Sequence, residues 1–242
     1  MPRFDYVFLG LGLACVSPEK AQNDRSSPSD ATSHSYATDF AQSESPLSEG
    51  GRWLTGGTDG KDWTDVSAAQ GRAIGHQVAA RNTDATAILD GQWRPNQSAT
   101  AIVVASRRLN DVCRSEVELR LRSSIQPHSN RGYEIAFAVS ESQQGYLIIN
   151  RWNGVLGDAT TLFEKYGAKF GVTYGDTVKA TIVGTRLTAY KNGLMVARVS
   201  DIAIAVGNPG FGFRLENSHA GCPGTNDQYG FTRFKATDIA EP

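Results

Sequence analysis

The densest run of chemically capable side chains in the 242-residue sequence is Glu116-Val117-Glu118-Leu119-Arg120-Leu121-Arg122, with a charge at every second position. A period of two belongs to a β-strand, whose side chains alternate between its faces. With Val117, Leu119 and Leu121 turned to a core, the two carboxylates and two guanidinium groups share the opposite face. The same reasoning applies to Tyr133 to Val139, where Ile135 and Phe137 turn inward and Glu134 faces out beside Ala136 and Ala138. In Tyr146 to Trp152, Leu147 and Ile149 turn inward, leaving Tyr146, Asn150 and Trp152 outside. If these strands are neighbours, Glu118, Arg120, Glu134, Tyr146, Asn150 and Trp152 form one surface. That mixture suits a saccharide, because aromatic planes cover its C–H face while charged and amide groups hydrogen-bond its hydroxyls. Ala136 and Ala138 would keep a groove open. The plainer expectation for Glu alternating with Arg is a solvated strand with cross-strand ion pairs worth about 0.2–1 kcal/mol each. Trp152 then simply caps a sheet edge.

Paired carboxylates also raise acid–base chemistry. Glu116 and Glu118 would sit about 6.6–7 Å apart along an extended strand. Glycoside hydrolysis needs two carboxyl groups about 5–5.5 Å apart for retention and about 6.5–9.5 Å for inversion. A polysaccharide lyase instead needs a His or Tyr base, with Arg, Asn or Gln to neutralise a uronate. His76, His128, Tyr146, Arg120 and Asn150 are the available groups, His128 lying in the turn Gln126-Pro127-His128-Ser129. Other chemistries lack their residues. No closely spaced Cys pair and no His-x-x-x-His supports zinc, and no Gly-x-Ser-x-Gly elbow supports a serine nucleophile. Trp53 and Trp63 flank a Gly-rich stretch that either lines a binding rim or seals the core end.

The elements that must position these groups read as strands almost throughout. Ala101 to Ala105, Val178 to Val183, Phe211 to Leu215 and Phe231 to Ile239 join the runs above. Leu187 to Lys191 and Leu194 to Val199 are joined by Asn192-Gly193, the strongest short hairpin signal. Between the runs lie Gly, Asn, Asp and Ser, and Gly totals 25. Only Asp158 to Tyr166 is expected to hold a helical turn or two. This is the pattern of an all-β antiparallel sandwich or barrel rather than of βαβ units. A formal net charge of -1 with scattered charges excludes the basic footprint of a nucleic-acid binder, and no basic amphipathic segment suggests a membrane surface.

Particular segments carry a resemblance. Tyr36-Ala37-Thr38-Asp39-Phe40 precedes the loop Gly51-Arg52-Trp53. Ser115 to Leu121, Gly132 to Phe137 and Gly145 to Trp152 follow, then Gly175 to Ile182, Ala189 to Gly193, Asn208 to Phe213 and Phe231 to Ala236. Over about residues 36–240 this order resembles the concanavalin A-like lectin/glucanase superfamily, especially its bacterial laminin-G-like branches. The resemblance implies a jelly roll of two curved antiparallel sheets, one concave, with the first and last strands paired. It also implies carbohydrate binding or cleavage, and a structural calcium held by loop aspartates such as Asp39, Asp59, Asp62 or Asp238. Retaining glucanases of the superfamily carry Glu-x-Asp-x-x-Glu on a comparable strand. Here Glu118 stands where the Asp would be, and Leu119-Arg120-Leu121 supplies no third carboxylate.

The N-terminus reads separately. Val7 to Val16 is an apolar run of ten behind Arg3. As a helix it spans about 15 Å, too short for a bilayer core of about 30 Å. Residues 1–16 therefore read as a signal peptide, with Leu13-Ala14-Cys15 resembling a lipoprotein box. Residues 17–35 are polar and read as a disordered linker, and 36–242 form the domain. Cys113 and Cys222 either form one disulfide or remain separate buried thiols. The reading is a secreted or periplasmic module binding a polysaccharide or oligosaccharide, with no nucleic-acid partner, no membrane span and no cofactor beyond the calcium named above. The alternatives are a lyase or hydrolase using the same face, and a structural or adhesion module.

Overall fold

The computed structural model describes residues 33–76, 84–105, 114–214 and 228–239. The signal peptide, the lipidation at Cys15, residues 17–32 of the linker and the Cys113–Cys222 pairing lie outside the described residues. The linker's last residues are described: His34 stacks on Trp93 with ring centroids 4.1 Å apart.

The first strands are β1 (Ser35–Thr38), β2 (Trp53–Thr55), β3 (Val66–Ala69), β4 (Arg72–Gly75) and β5 (Asp84–Leu89). Then come β6 (Gln97–Ala105), β7 (Glu116–Gln126), β8 (Ser129–Ala138), β9 (Tyr146–Gly154) and β10 (Ala159–Tyr166). β11 (Thr177–Val183), β12 (Arg186–Lys191), β13 (Leu194–Ser200), β14 (Asn208–Arg214) and β15 (Tyr229–Asp238) complete the set. One sheet runs β13-β12-β11-β6-β15-β4-β3, with β1 also on β15. The other runs β10-β9-β8-β7-β14-β5-β2. All strand pairs are antiparallel, and the early β1 pairs with the late β15 as the resemblance implies. The β12–β13 hairpin turns through Asn192 (φ 50°) and Gly193 (φ 80°), the two positive φ values that make Asn-Gly the favoured pair there. Among the described residues no helix is long and apolar enough to cross a membrane.

The inner faces meet in one core. Phe211 of β14 lies 5.0 Å from Trp53 and 5.0 Å from Phe234 of β15, ring to ring, so aromatic contacts bridge the sheets. Each such buried ring contributes about 1.5–3 kcal/mol. Val117, Leu119, Leu121, Ile135, Phe137, Leu147 and Ile149 join this core, the inward set that period-two alternation requires.

Two expectations are corrected. Residues 158–166 contain no helical turn, because β10 is an edge strand whose Ala159 to Tyr166 pairs with Trp152 to Tyr146. Its mixed exposure, with a register shift between Thr161 and Phe163, blurs the alternation. Arg122 also leaves the stripe of Glu116, Glu118 and Arg120. A register shift between Leu121 and Ser124, with Arg122 at φ 47°, turns it toward the end of the sandwich. There its guanidinium donates to the carbonyls of Pro95 (2.7 Å), Gly184 (2.7 Å) and Ile204 (2.9 Å).

Candidate functional site

The outer face of the β10-β9-β8-β7-β14-β5-β2 sheet carries the six residues singled out from the sequence. Register sets them in rows. Arg120 stands opposite Glu134, which stands opposite Asn150, which stands opposite Thr161. In the next row Thr86, Gly212, Glu118, Ala136 and Ile148 lie side by side. Glu116 and Arg214 are opposite each other in the row beyond. Phe211 and Phe213 fill the core, so the intervening Gly210 and Gly212 fall on the outer face. A Cβ on Gly212 would lie 2.6 Å from Glu118 Oε2 and 3.2 Å from Arg120 Nη2, so these side chains lean across the space a side chain would fill.

The polar groups are bonded in two adjoining clusters, one around Glu134 and one around Glu116, whose carboxylate oxygens lie within 4.8 Å of each other. Arg120 donates to Glu118 (2.5 Å) and to Glu134 (2.8 Å), with its guanidinium 5.8 Å from the Trp152 ring centroid. Glu134 also accepts from Trp152 Nε1 (2.6 Å) and Asn150 Nδ2 (3.0 Å). Tyr146 donates its hydroxyl to Glu116, and Thr161 donates to Asn150 at 3.0 Å. Sequence alternation brings all six residues together, Tyr146 through Glu116.

The face is not solvated, contrary to the plainer expectation. Glu118 is 0% exposed, Arg120 1% and Glu134 3%. At one end Trp63 packs edge-on against Trp152, centroids 6.2 Å apart. Trp63 follows a single π-helical turn, Gly56–Gly60. Gly60 accepts the backbone N–H of His128, whose ring pairs with Asp62 at 2.9 Å. At the other end Arg114 stacks over Tyr146 at 5.6 Å, and Tyr166 lies 5.6 Å from the same ring. Burial relaxes toward β10, since Ile148 and Asn150 are half-buried and Thr161 is exposed.

Electrostatics follow from that burial. Desolvation pushes the Glu116 carboxyl up to about 7, against the pull of Arg214. Desolvation, then the nearby Glu134 charge, pushes Glu118 well above the usual carboxylate range. Burial also opposes charge on Arg120, but Glu134 and Glu118 outweigh it and hold the guanidinium charged. Tyr146 is raised by burial and by Glu116, which keeps the phenol protonated and makes it a poor base. Two buried polar atoms of the network, Glu118 Oε1 and Arg120 Nε, find no partner in the protein.

Among the described residues, the loop aspartates suggested for calcium belong to no group of three acidic side chains with close oxygens. Asp59 accepts from Thr55 N–H, Asp62 pairs with His128, and Asp238 accepts from Arg94 N–H. Among the described residues the one group of three acidic side chains with mutually close oxygens, within 4.8 Å, is Glu116, Glu118 and Glu134. The Arg120 guanidinium already sits against two of them, so this donor set does not fit a hard dication. A separate open concavity of about 650 Å³ runs along β1, lined by Tyr36, Asp39, Glu49 and Arg52 and by none of the six residues.

Sequence reasoning missed Thr86 and Gly212, contributed by strands about 30 and 90 positions away, and the covering Trp63. Alternation along one strand says nothing about which distant strand lies beside it.

No family model matches this chain, and no curated protein matches its sequence. Solved structures do match. The carbohydrate-binding module CBM66 from Bacillus subtilis is similar with a TM-score of 0.50 and 11% identity, over 79% of this chain and 95% of that one. The exoplasmic/lumenal domain of VIP36, in a calcium- and mannose-bound form, gives 0.54 and 8%, over 81% and 89%. A prokaryotic β-1,3-1,4-glucanase (lichenase) derived from a mouse hindgut metagenome gives 0.50 and 10%, over 84% and 98%. At these identities the likeness concerns the fold, which is the concanavalin A-like jelly roll.

Proposed function

We propose that this chain is an exported carbohydrate-binding module that takes a polysaccharide or oligosaccharide on the β7-β8-β9 face. The observation that carries this reading is the buried network of Glu118, Arg120 and Glu134. Buried ion pairs are a weak route to stability, and well-packed apolar side chains often serve as well or better. A charge cluster that desolvates two carboxylates, leaves polar atoms unpartnered and sits between Trp152 and Tyr146 instead has the composition of a ligand site. Entry from the β9–β10 edge fits the falling burial there, where Asn150 and Thr161 would meet the ligand first. The neighbours in fold include a carbohydrate-binding module and a mannose-bound domain, which agrees with the reading. Export is supported by the Val7 to Val16 run behind Arg3.

The test is native affinity electrophoresis of the full chain in gels cast with neutral and uronate polysaccharides. Retardation that Asn150→Ala weakens supports the reading; free migration in every gel removes it.

A second reading, hydrolysis at the same face, is favoured by one observation. Glu116, raised to about 7, stands beside Glu118 and Glu134, with carboxylate oxygens within 4.8 Å of one another. New reducing ends that disappear in Glu116→Gln would establish it. Uronate elimination with Tyr146 as base is disfavoured, since that phenol is held protonated.

A further inference from the structure

Two more buried polar atoms without a protein partner belong to the same neighbourhood. Thr86 Oγ1 lies on the row that holds Glu118, separated from it by Gly212, and Thr86 is 0% exposed. Trp63 Nε1 belongs to the ring packed edge-on against Trp152, and Trp63 is 2% exposed. With Glu118 Oε1 and Arg120 Nε they make four unsatisfied atoms from three segments of chain. Buried polar atoms nearly always find a partner in protein or ordered water, so a set like this calls for an explanation.

The chemistry of the set is mixed. Arg120 Nε and Trp63 Nε1 can only donate. Glu118 Oε1 accepts when ionised and can donate when protonated, and Thr86 Oγ1 does both. A hydroxyl group answers every member, because it accepts and donates at once. A uronate carboxylate has no proton to give, and it would add a negative charge beside the already crowded carboxyls of Glu116, Glu118 and Glu134. An ammonium group can only donate, so it leaves Arg120 Nε and Trp63 Nε1 unmet. Resting on the saccharide reading above, we infer that Thr86 and Trp63 complete the binding face, and that its ligand is an uncharged, hydroxyl-rich sugar rather than a uronate. The bare floor at Gly212 supports this, for it leaves Glu118 leaning across toward Thr86 with no side chain between them. The competing explanation is a buried water, which would make the four atoms indifferent to sugar.

The experiment measures binding of the full chain to a soluble neutral β-glucan, a mannan, polygalacturonate and alginate. The variants are Thr86→Val, Thr86→Ser and Trp63→Phe, with melting temperatures recorded for each. The inference expects a neutral polymer to bind most tightly. It expects Thr86→Val and Trp63→Phe each to lose about tenfold, the scale of an unmet buried hydrogen bond, while Thr86→Ser recovers most of the Thr86→Val loss. Tighter binding of either uronate polymer overturns the inference and leaves the saccharide reading standing. Neutral-polymer binding that survives both Thr86→Val and Trp63→Phe also overturns it, in favour of the buried water. Binding to no polymer of either kind overturns the inference and the saccharide reading together. Should Thr86→Val fail to fold, the wild-type preference and Trp63→Phe still decide.

Discussion

Arg120 on β7 and Glu134 on β8 stand directly opposite each other, Nη1 to Oε2 at 2.8 Å, with side chains 1% and 4% exposed. The same carboxylate holds Trp152 Nε1 and Asn150 Nδ2, so one side chain orients three others. Removing it leaves the buried Arg120 guanidinium with Glu118 as its one remaining ion-pair partner. Glu134→Ala is expected to lose about 3–5 kcal/mol, a fall in melting temperature on the order of 10 °C for a domain of this size. Urea unfolding checks the first figure. A loss below about 1 kcal/mol would mean that Glu118 alone satisfies Arg120.

Stability should fall as pH rises. The folded Glu116 carboxyl binds its proton up to about 7 against an ordinary 4.5, so the folded state holds more protons than the unfolded state between those values. Its contribution is complete below pH 4.5, and is lost as pH rises through about 7. The span corresponds to about 3 kcal/mol at most, at 1.36 kcal/mol per unit. The raised Glu118 carboxyl acts in the same direction. Denaturation midpoints across pH 4.5–8 should decline for the wild type and decline less for Glu116→Gln, with the variant the more stable at pH 8. A midpoint that climbs with pH contradicts the account.

Arg122 is a fastener for the end of the sandwich. Three carbonyls, from Pro95, Gly184 and Ile204, depend on its guanidinium. Arg122→Met keeps much of the stem and leaves those acceptors unmet, at a cost of about 1–3 kcal/mol or more. Arg122→Lys should recover only part of that, since an ammonium cannot match the spread of a planar fork. Equal stability of Arg122→Met and wild type by thermal unfolding would dismiss the fastener.

Much of the architecture is legible in the residues themselves. Alternation alone sorts Val117, Leu119, Leu121, Ile135 and Phe137 from Glu116, Glu118, Arg120 and Glu134, and Asn192-Gly193 announces its hairpin. The six face residues come together because period two is a local property and their three strands are consecutive in both chain and sheet. What escapes local reading is set from a distance. The burial of the face depends partly on Trp63, nearly 90 positions before Trp152. Gly212 and Thr86 reach it because β14 happens to lie beside β7 and β5 beside β14. Arg122 obeys the alternation in sequence and breaks it in space, because a bulge has no signature in a run of alternating charges.

Gly212 gives a test of the crowded floor. A methyl there would meet Glu118 Oε2 at 2.6 Å and the Ala85 carbonyl oxygen at 2.7 Å, the second being backbone that yields little. Gly212→Ala is expected to cost about 1–3 kcal/mol through overpacking, read as a lowered urea midpoint. An unchanged midpoint would show that Glu118 rests elsewhere in solution.

The most direct test sets the two surfaces of the molecule against each other. Titration calorimetry with an oligosaccharide of the polymer retained in affinity gels would compare Asn150→Ala with Arg52→Ala, a substitution in the β1 concavity. The account expects Asn150→Ala to weaken binding about tenfold and Arg52→Ala to bind as the wild type does. Loss of binding in Arg52→Ala with Asn150→Ala unaffected would place the ligand along β1 and contradict the assignment of the β7-β8-β9 face.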